Sequence, residues 1–392
     1  MTAPKLRFKE FDGNWDIYAL EDQIDFLAGY AFDSKLMSND IQKYQLIKMS
    51  NVYQNQLDLT RNSSYWEKID KKTEKFLLKK GDIVLTLTGT VGKTDYGYNV
   101  EIKENDKFLL NQRLVRLRGK IDFSLSKFVQ YRISTDKFFY HFFNSSKGGT
   151  GNQSNVSIED LKLLELSFPS KAEQTKIATF LSAVDEKISQ LSQKLHLLGQ
   201  YKQGMMQKLF SQQIRFKADD GSEFGDWEEI ALGKIKGVFI ASGKSSHEKL
   251  EFAKYYYYGS TGVIGYSNEY DYQGTRILIA RVGHNAGYIY MVSGQYNVSD
   301  NTLILELPSN LDYIFIRAFL EKFQLNKLVF GTGQPLITGG LLKKVVVQLP
   351  CIEEQTKIAN FLSAIDQKID VVSGQLEQAK LWKKGLLQQM FV

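Results

Sequence analysis

A single cysteine, Cys351, occurs in the 392 residues, so the chain can form neither an intramolecular disulfide nor a thiolate zinc cluster. Prolines number only five, which leaves little room for disordered linkers. No stretch approaches the ~20 uninterrupted apolar residues of a membrane span, and mean hydropathy is −0.29. The first residues, MTAPKLRFKEFDGNW, lack the apolar segment of a secretory signal. Together these scarcities lead us to expect a cytoplasmic protein with no membrane partner. Histidines are few as well. His141, His196, His247 and His284 show no HxxxH or HxH spacing, so no metal site is expected.

Catalytic signatures are equally scarce. There is no GxSxG elbow and no GxGxxG following a strand. The string GTVGKT at 89–94 imitates a phosphate-binding loop, but Leu87 stands where a Walker A glycine is required, and DYGYNV after it is a poor helix start. It reads as a turn between strands. None of the prolines, at 4, 169, 308, 335 and 350, adjoins another, which excludes the Asn/Asp-Pro-Pro-aromatic motif of adenine methyltransferases. The acidic pairs Asp219–Asp220 and Glu228–Glu229 lie beside turn residues and read as solvated loops. No catalytic residue is assigned, and the chain is expected not to be an enzyme by itself.

The rest of the composition is that of a globular protein. Hydrophobic residues make up 43% and charged residues 24%, enough apolar mass for real cores. Aromatics at 13% imply β-rich domains. The formal charge of +6 and a pI near 8.9 are compatible with a nucleic-acid partner without specifying one. The length suits two or three domains.

An internal repeat organises the chain. Residues 169–210, PSKAEQTKIATFLSAVDEKISQLSQKLHLLGQYKQGMMQKLF, match 350–391, PCIEEQTKIANFLSAIDQKIDVVSGQLEQAKLWKKGLLQQMF, without a gap. Preceding segments correspond more loosely: FDGNWDIYAL at 11–20 answers FGDWEEIAL at 224–232, and KKGDIVLTLTGTVGK at 79–93 answers QGTRILIARVGHNAG at 273–287. GGTGNQSNVSIEDLKLLELSFP at 148–169 answers FGTGQPLITGGLLKKVVVQLP at 330–350. The plan is domain, helix, domain, helix, with boundaries at 1–168, 169–212, 213–349 and 350–392.

Both repeated segments are predicted to be long helices. Ile177, Leu181, Val184, Ile188, Leu191, Leu195, Leu198, Met205 and Leu209 alternate in steps of four and three, a coiled-coil seam. Ile358, Leu362, Ile365, Ile369, Val372, Leu376, Ala379, Leu386 and Met390 repeat the pattern. Each seam has one polar position, Lys202 or Lys383. Two readings stand for these lysines: fixing register and orientation, or snorkelling out near a helix end. Pro169 and Pro350 mark the helix starts, and Glu173 and Glu354 sit where the helix dipole favours anions. With a whole domain between them, the seams can pair antiparallel. The expected fold is α+β: two globular mixed α/β domains separated by two paired long helices, related by a pseudo-two-fold axis.

The remaining chemistry is in polar and basic loops. Lys93 lies in Gly89–Gly97, and Lys147, Asn152 and Gln153 in Asn144–Asn155; Arg281, His284 and Asn285 occupy the loop equivalent to the first, and Gln334 lies in Gly331–Thr338. Arg, Asn and Gln can read guanine and adenine edges, and Lys suits phosphates. The tyrosine run 255–258 reads as a strand with alternating buried rings rather than a base-stacking platform.

The segment P-x-x-x-EQTKIA-x-FLSA-[VI]-D-x-KI, ending in KQGMMQKLF or KKGLLQQMF, resembles the conserved regions of specificity (S) subunits of type I restriction–modification enzymes. YYGSTGVIGYSNEYDYQGTRILIARVGHNAGYIY is similar to a target recognition domain of that family, and KKGDIVLTLTGTVGK is its weaker counterpart. The resemblance spans essentially the whole chain. It implies that each domain binds one half of a split, asymmetric double-stranded DNA target. The helices would then space the domains and dock two modification (M) subunits, which hold S-adenosylmethionine and methylate adenine. Restriction (R) subunits, which cut DNA using ATP and Mg, join afterwards, and this chain itself needs no cofactor. Two domain–helix units argue against a fused modification–specificity protein. Gln174, Lys176, Gln355 and Lys357, identical between the helix starts, are the expected outward contacts for the M subunits. The competing expectation is a coiled-coil adaptor whose end domains bind protein or carbohydrate; a free-standing enzyme is a third.

Overall fold

A computed structural model describes residues 3–148, 153–329 and 335–391. The chain forms two compact units, one of residues 1–190 with 375–392 and the other of residues 191–374.

The first unit is built on a four-stranded antiparallel sheet in the order Ile24–Ala28, Leu114–Gly119, Ile83–Thr86, Asn99–Glu101. The run IVLT at 83–86 is buried throughout, as a central strand covered on both faces must be. Beside it lies a three-stranded sheet, Phe108–Leu110, Tyr44–Ile47 and Tyr65–Trp66, with the first pair parallel. Two short helices, Ser126–Arg132 and Asp136–Asn144, come after the central sheet, and Phe128, Phe138 and Phe142 are fully buried in its core. The strands Asp16–Ala19 and Glu165–Phe168 pair antiparallel and so bring the two ends of the domain together just before the first long helix.

The second unit repeats the plan. Its central sheet runs Phe239–Ser242, Thr302–Glu306, Arg276–Ala280, Ile289–Val292, all antiparallel. A second sheet is ordered Gly262–Ser267, Tyr255–Gly259, Gln295–Val298, Tyr272–Gln273. The helix Tyr313–Phe323 packs beneath, capped by Asp312, whose carboxylate accepts from the amides of Ile314 and Phe315. Glu228–Ala231 and Val346–Leu349 close this domain as their counterparts close the first. Of the tyrosine run, Tyr257 is buried and Tyr256 about half exposed, with Tyr255 and Tyr258 between, so the expected alternation is only partial.

The repeated segments are helices, Lys171–Phe210 and Ile352–Met390. Their seam residues are buried or half-buried, and His196 lies on the exposed side. In the first unit Leu386 and Met390 of the second helix, with Phe391 just after it, share a core with Leu181 and Val184 of the first. In the second unit Met206, Leu209 and Phe210 of the first helix share one with Ile358, Leu362 and Ile365 of the second. Within each unit, then, the end of one long helix packs beside the beginning of the other. Among the described residues no helix is long and apolar enough to cross a membrane, and no group of three His, Cys, Asp or Glu side chains could hold a metal ion.

Candidate nucleic-acid interface

Backbone pairing joins the loops that the sequence suggested separately. Thr88–Thr90, leaving the central strand of the first unit, pairs antiparallel with Gln153–Asn155, which also pairs with Lys147–Gly148. Gln153 is exposed and is paired with Thr90 in the backbone register, as Lys147 is with Asn155. Lys93 is exposed in the neighbouring turn, where its amide donates to the Thr90 carbonyl at 3.0 Å. Asp95 holds that turn: its carboxylate accepts from the Thr90 amide at 2.8 Å and the Thr90 hydroxyl at 2.7 Å. The backbone hydrogen bond from Thr90, joined by the one from its hydroxyl, keeps the Asp95 carboxyl below the usual range. Gly89 is required by close packing, since a Cβ there would stand 2.2 Å from the Tyr96 ring. Tyr96 in turn donates to Ser146 at 2.6 Å and Ser154 at 3.2 Å, tying both loops together. Asn152 lies outside the described residues.

The second unit makes the same junction with a different sequence. Val282 bridges Leu336, the Gly283 amide donates to the Pro335 carbonyl, and the Ile337 amide donates to the Arg281 carbonyl. His284 and Asn285 are exposed in the turn. Arg281 is half-buried: one guanidinium nitrogen donates to the Ser242 hydroxyl at 3.2 Å, and its buried Nε has no partner among the described residues. Gln334 lies outside the described residues.

The helix starts require a correction. Gln174 and Gln355 do not face outward; they are 1% and 2% exposed. Gln174 accepts from the Leu125 amide at 3.1 Å and donates to the carbonyls of Phe123 and Pro169, both at 3.0 Å. Gln355 accepts from the Asp312 amide at 3.0 Å and donates to the Pro350 carbonyl at 2.9 Å. Each glutamine therefore ties its long helix to the start of a helix in the adjacent domain, and identity between the repeats reflects that shared internal bond. Lys176 and Lys357 keep accessible ammonium groups but bind their own domains' leading segments, at Glu10 (3.0 Å) and Asp219 (2.6 Å).

The preceding glutamates form a second repeated device. Glu173 accepts two bonds from Arg7, both at 2.8 Å, and one from the Trp15 indole at 3.3 Å. Glu354 accepts from Arg215 at 3.1 and 2.7 Å and from the Trp227 indole at 3.1 Å. Along the sequence these glutamates stand only in the field of the helix dipole, and their partners went unforeseen. The signal that would have found them is RFK, present at 7–9 and again at 215–217 before each aromatic-rich segment.

The seam lysines also find partners. Lys202 pairs with Asp366 at 2.6 Å in the second unit, and Lys383 pairs with Asp185 at 2.5 Å in the first. Both aspartates come from the repeated FLSA-[VI]-D string. Of the two readings, register fixing is the one these cross-helix pairs favour.

Known proteins share this plan. The profile of the family described as "Type I restriction modification DNA specificity domain" matches residues 12–198 and 225–381. The chain belongs to this family. Similar curated proteins include two from Methanocaldococcus jannaschii. The putative type I restriction enzyme MjaX specificity subunit is 26% identical over 98% of this chain and 94% of its own length. The type I restriction enzyme MjaVIII specificity subunit is 24% identical over 97% and 94%. Among solved structures, the S subunit of a type I restriction–modification system from M. genitalium superposes with a TM-score of 0.66 at 21% identity, covering 100% of this chain and 99% of that one. A chain from a type I restriction–modification assembly gives 0.52 at 14% identity, with 96% and 97% covered. The specificity family and its two-domain fold are thus shown independently of the loop chemistry.

Proposed function

We propose that this member of the specificity family reads a split, asymmetric double-stranded DNA sequence for a type I restriction–modification complex, each domain reading one half. The carrying observation is the paired construction. The same scaffold occurs twice, and each copy joins its two polar loops at one junction while filling them with different side chains: Lys93 and Gln153 in one, Arg281, His284 and Asn285 in the other. A common scaffold with divergent loops suits two readers of unlike bases. The domain limits 1–168 and 213–349, with the helical segments 169–212 and 350–392 as spacers, belong to this reading.

The contacts at both ends of the long helices support an antiparallel pair whose seam is registered by Lys202 and Lys383. Two modification subunits would dock on the repeated helices, with Lys176 and Lys357 nearest the accessible helix starts. S-adenosylmethionine would be held by those subunits, and ATP with Mg by restriction subunits joining later; this chain's part is recognition. The test is sequencing of methylated adenines in the host with and without this gene. A split motif should vanish on deletion, whereas an unchanged set of methylated sites would refute the proposal.

A further inference from the structure

Each unit has one more turn at the loop junction, and neither was singled out from the sequence. Asn111–Gln112–Arg113 links the strands Phe108–Leu110 and Leu114–Gly119; Ser299–Asp300–Asn301 links Gln295–Val298 and Thr302–Glu306. The two turns are counterparts by their bonding. The Arg113 carbonyl accepts from the Leu87 amide at 3.1 Å, and the Asn301 carbonyl accepts from the Arg281 amide at 3.0 Å. On the opposite side Gly29 donates to the Leu114 carbonyl and Gly243 to that of Thr302, both at 2.9 Å. The backbones approach so closely that a Cβ on Gly29 would stand 1.9 Å from the Asn111 carbonyl oxygen, and one on Gly243 2.4 Å from that of Ser299. Each turn is therefore held firmly against the loops already described.

The side chains at these turns are left available. Arg113 is exposed and its side chain, among the described residues, has no hydrogen bond, ion pair or ring contact, whereas Arg7, Arg118, Arg215, Arg276 and Arg317 each face a carboxylate. Its backbone φ is +68°, an uncommon conformation for a residue with a side chain. Strain of that kind gathers at binding sites. The cleft beside it is lined by Thr88, Gln112, Arg113, Gln153 and Asn155, with no carboxylate among the described residues of its wall. At the counterpart turn Asn301 is exposed, and its side-chain amide has no partner among the described residues. Asp300 beside it accepts from the Ser245 hydroxyl at 3.0 Å.

We propose that these two turns are base readers, Arg113 contacting a guanine in one half-site and Asn301 an adenine in the other. The guanidinium fork matches guanine O6 and N7, and the amide matches adenine N6 and N7. Firm backbones suit this task, because a bidentate contact tolerates little displacement. Unlike residues at one scaffold position then make the two halves of the target differ. This inference rests on the DNA-reading function proposed above and specifies its residues.

The test offers randomised duplexes to the full chain assembled with its modification subunits. Arg113→Gly, which the left-handed backbone accommodates, should reduce discrimination for guanine at one position of one half-site by about 5- to 150-fold. Arg113→Lys, the safeguard should the glycine variant fold poorly, keeps the charge but not the planar fork and should weaken that discrimination while keeping overall affinity and salt dependence. Asn301→Ala should relax an adenine in the other half only. Unaltered base preferences in these variants would overturn the assignment. So would a uniform weakening over all sequences with a salt slope lower by about one, the mark of a phosphate contact. If the unmodified assembly selects no sequence at all, the DNA-reading function itself fails, a result distinct from both.

Discussion

At single side chains, the costliest contacts lie at the helix starts rather than at the loops. Glu354 is fully buried and Glu173 nearly so, and each is neutralised by one arginine reaching from the domain's leading segment. Removing the arginine leaves a buried carboxylate whose one remaining hydrogen-bond donor among the described residues is an indole. Arg215→Ala should therefore destabilise its unit by about 3–5 kcal/mol, and Arg7→Ala should do the same to the other. Denaturant titration monitored by tryptophan fluorescence would measure it, since Trp227 and Trp15 donate to the same carboxylates. Asp95 offers a test by pH. Its carboxyl is depressed in the folded loop, so its contribution to loop order is complete above the unfolded value and fades as pH falls through the lower, folded one. Slow exchange of the Thr90 amide should persist through mildly acid conditions and be lost only below the usual carboxylate range. Asp95→Asn should show faster exchange with no such acid transition.

At the scale of elements, each seam lysine is paired with an aspartate of the other long helix. Lys202 and Asp366 are 19% and 27% exposed, so solvent screens their attraction and the pair contributes on the order of 1 kcal/mol or less. The geometry is more informative than the energy. A double-mutant cycle on Lys202→Met and Asp366→Asn should give a coupling of about 0.5–1 kcal/mol, while the same lysine cycled against Asp185 should give none. Equal coupling to both aspartates would contradict the pairing seen in the second unit. Arg317 donates to Asp366 at 2.9 Å, and Tyr131 donates to Asp185 at 2.7 Å. Each aspartate thus binds a domain helix and a seam lysine together, which explains why the residue recurs in both repeats.

For the molecule as a whole, the proposed ruler makes a numerical prediction. One heptad inserted into the first long helix lengthens it by ~10 Å, about three base pairs, and also rotates the second recognition domain relative to the groove. Methylation should move to a target with a longer spacer or disappear, as mapped by sequencing of methylated adenines. An unchanged spacer would mean that the helices do not set the distance. Replacing residues 213–347 with another recognition domain should alter one half of the target and leave the other intact.

The long helices, their shared seam and the repetition of the whole plan come from the sequence alone, because heptad spacing is local and a constant offset needs no coordinates. The same holds for the loops that carry Lys93 and Arg281, whose glycine-rich strings end apolar strands. Tertiary packing decided the rest. Gln174 looks like any polar residue on a helix start, and only the domain folded against it makes it an internal bond. Gln153 and Thr90 are far apart in sequence and meet only through a strand pairing. Arg113 and Asn301 share no motif; their equivalence is a matter of which amides their carbonyls accept. A side chain's neighbours across a sheet depend on the path of the chain through space, and periodicity along the chain carries no record of that path.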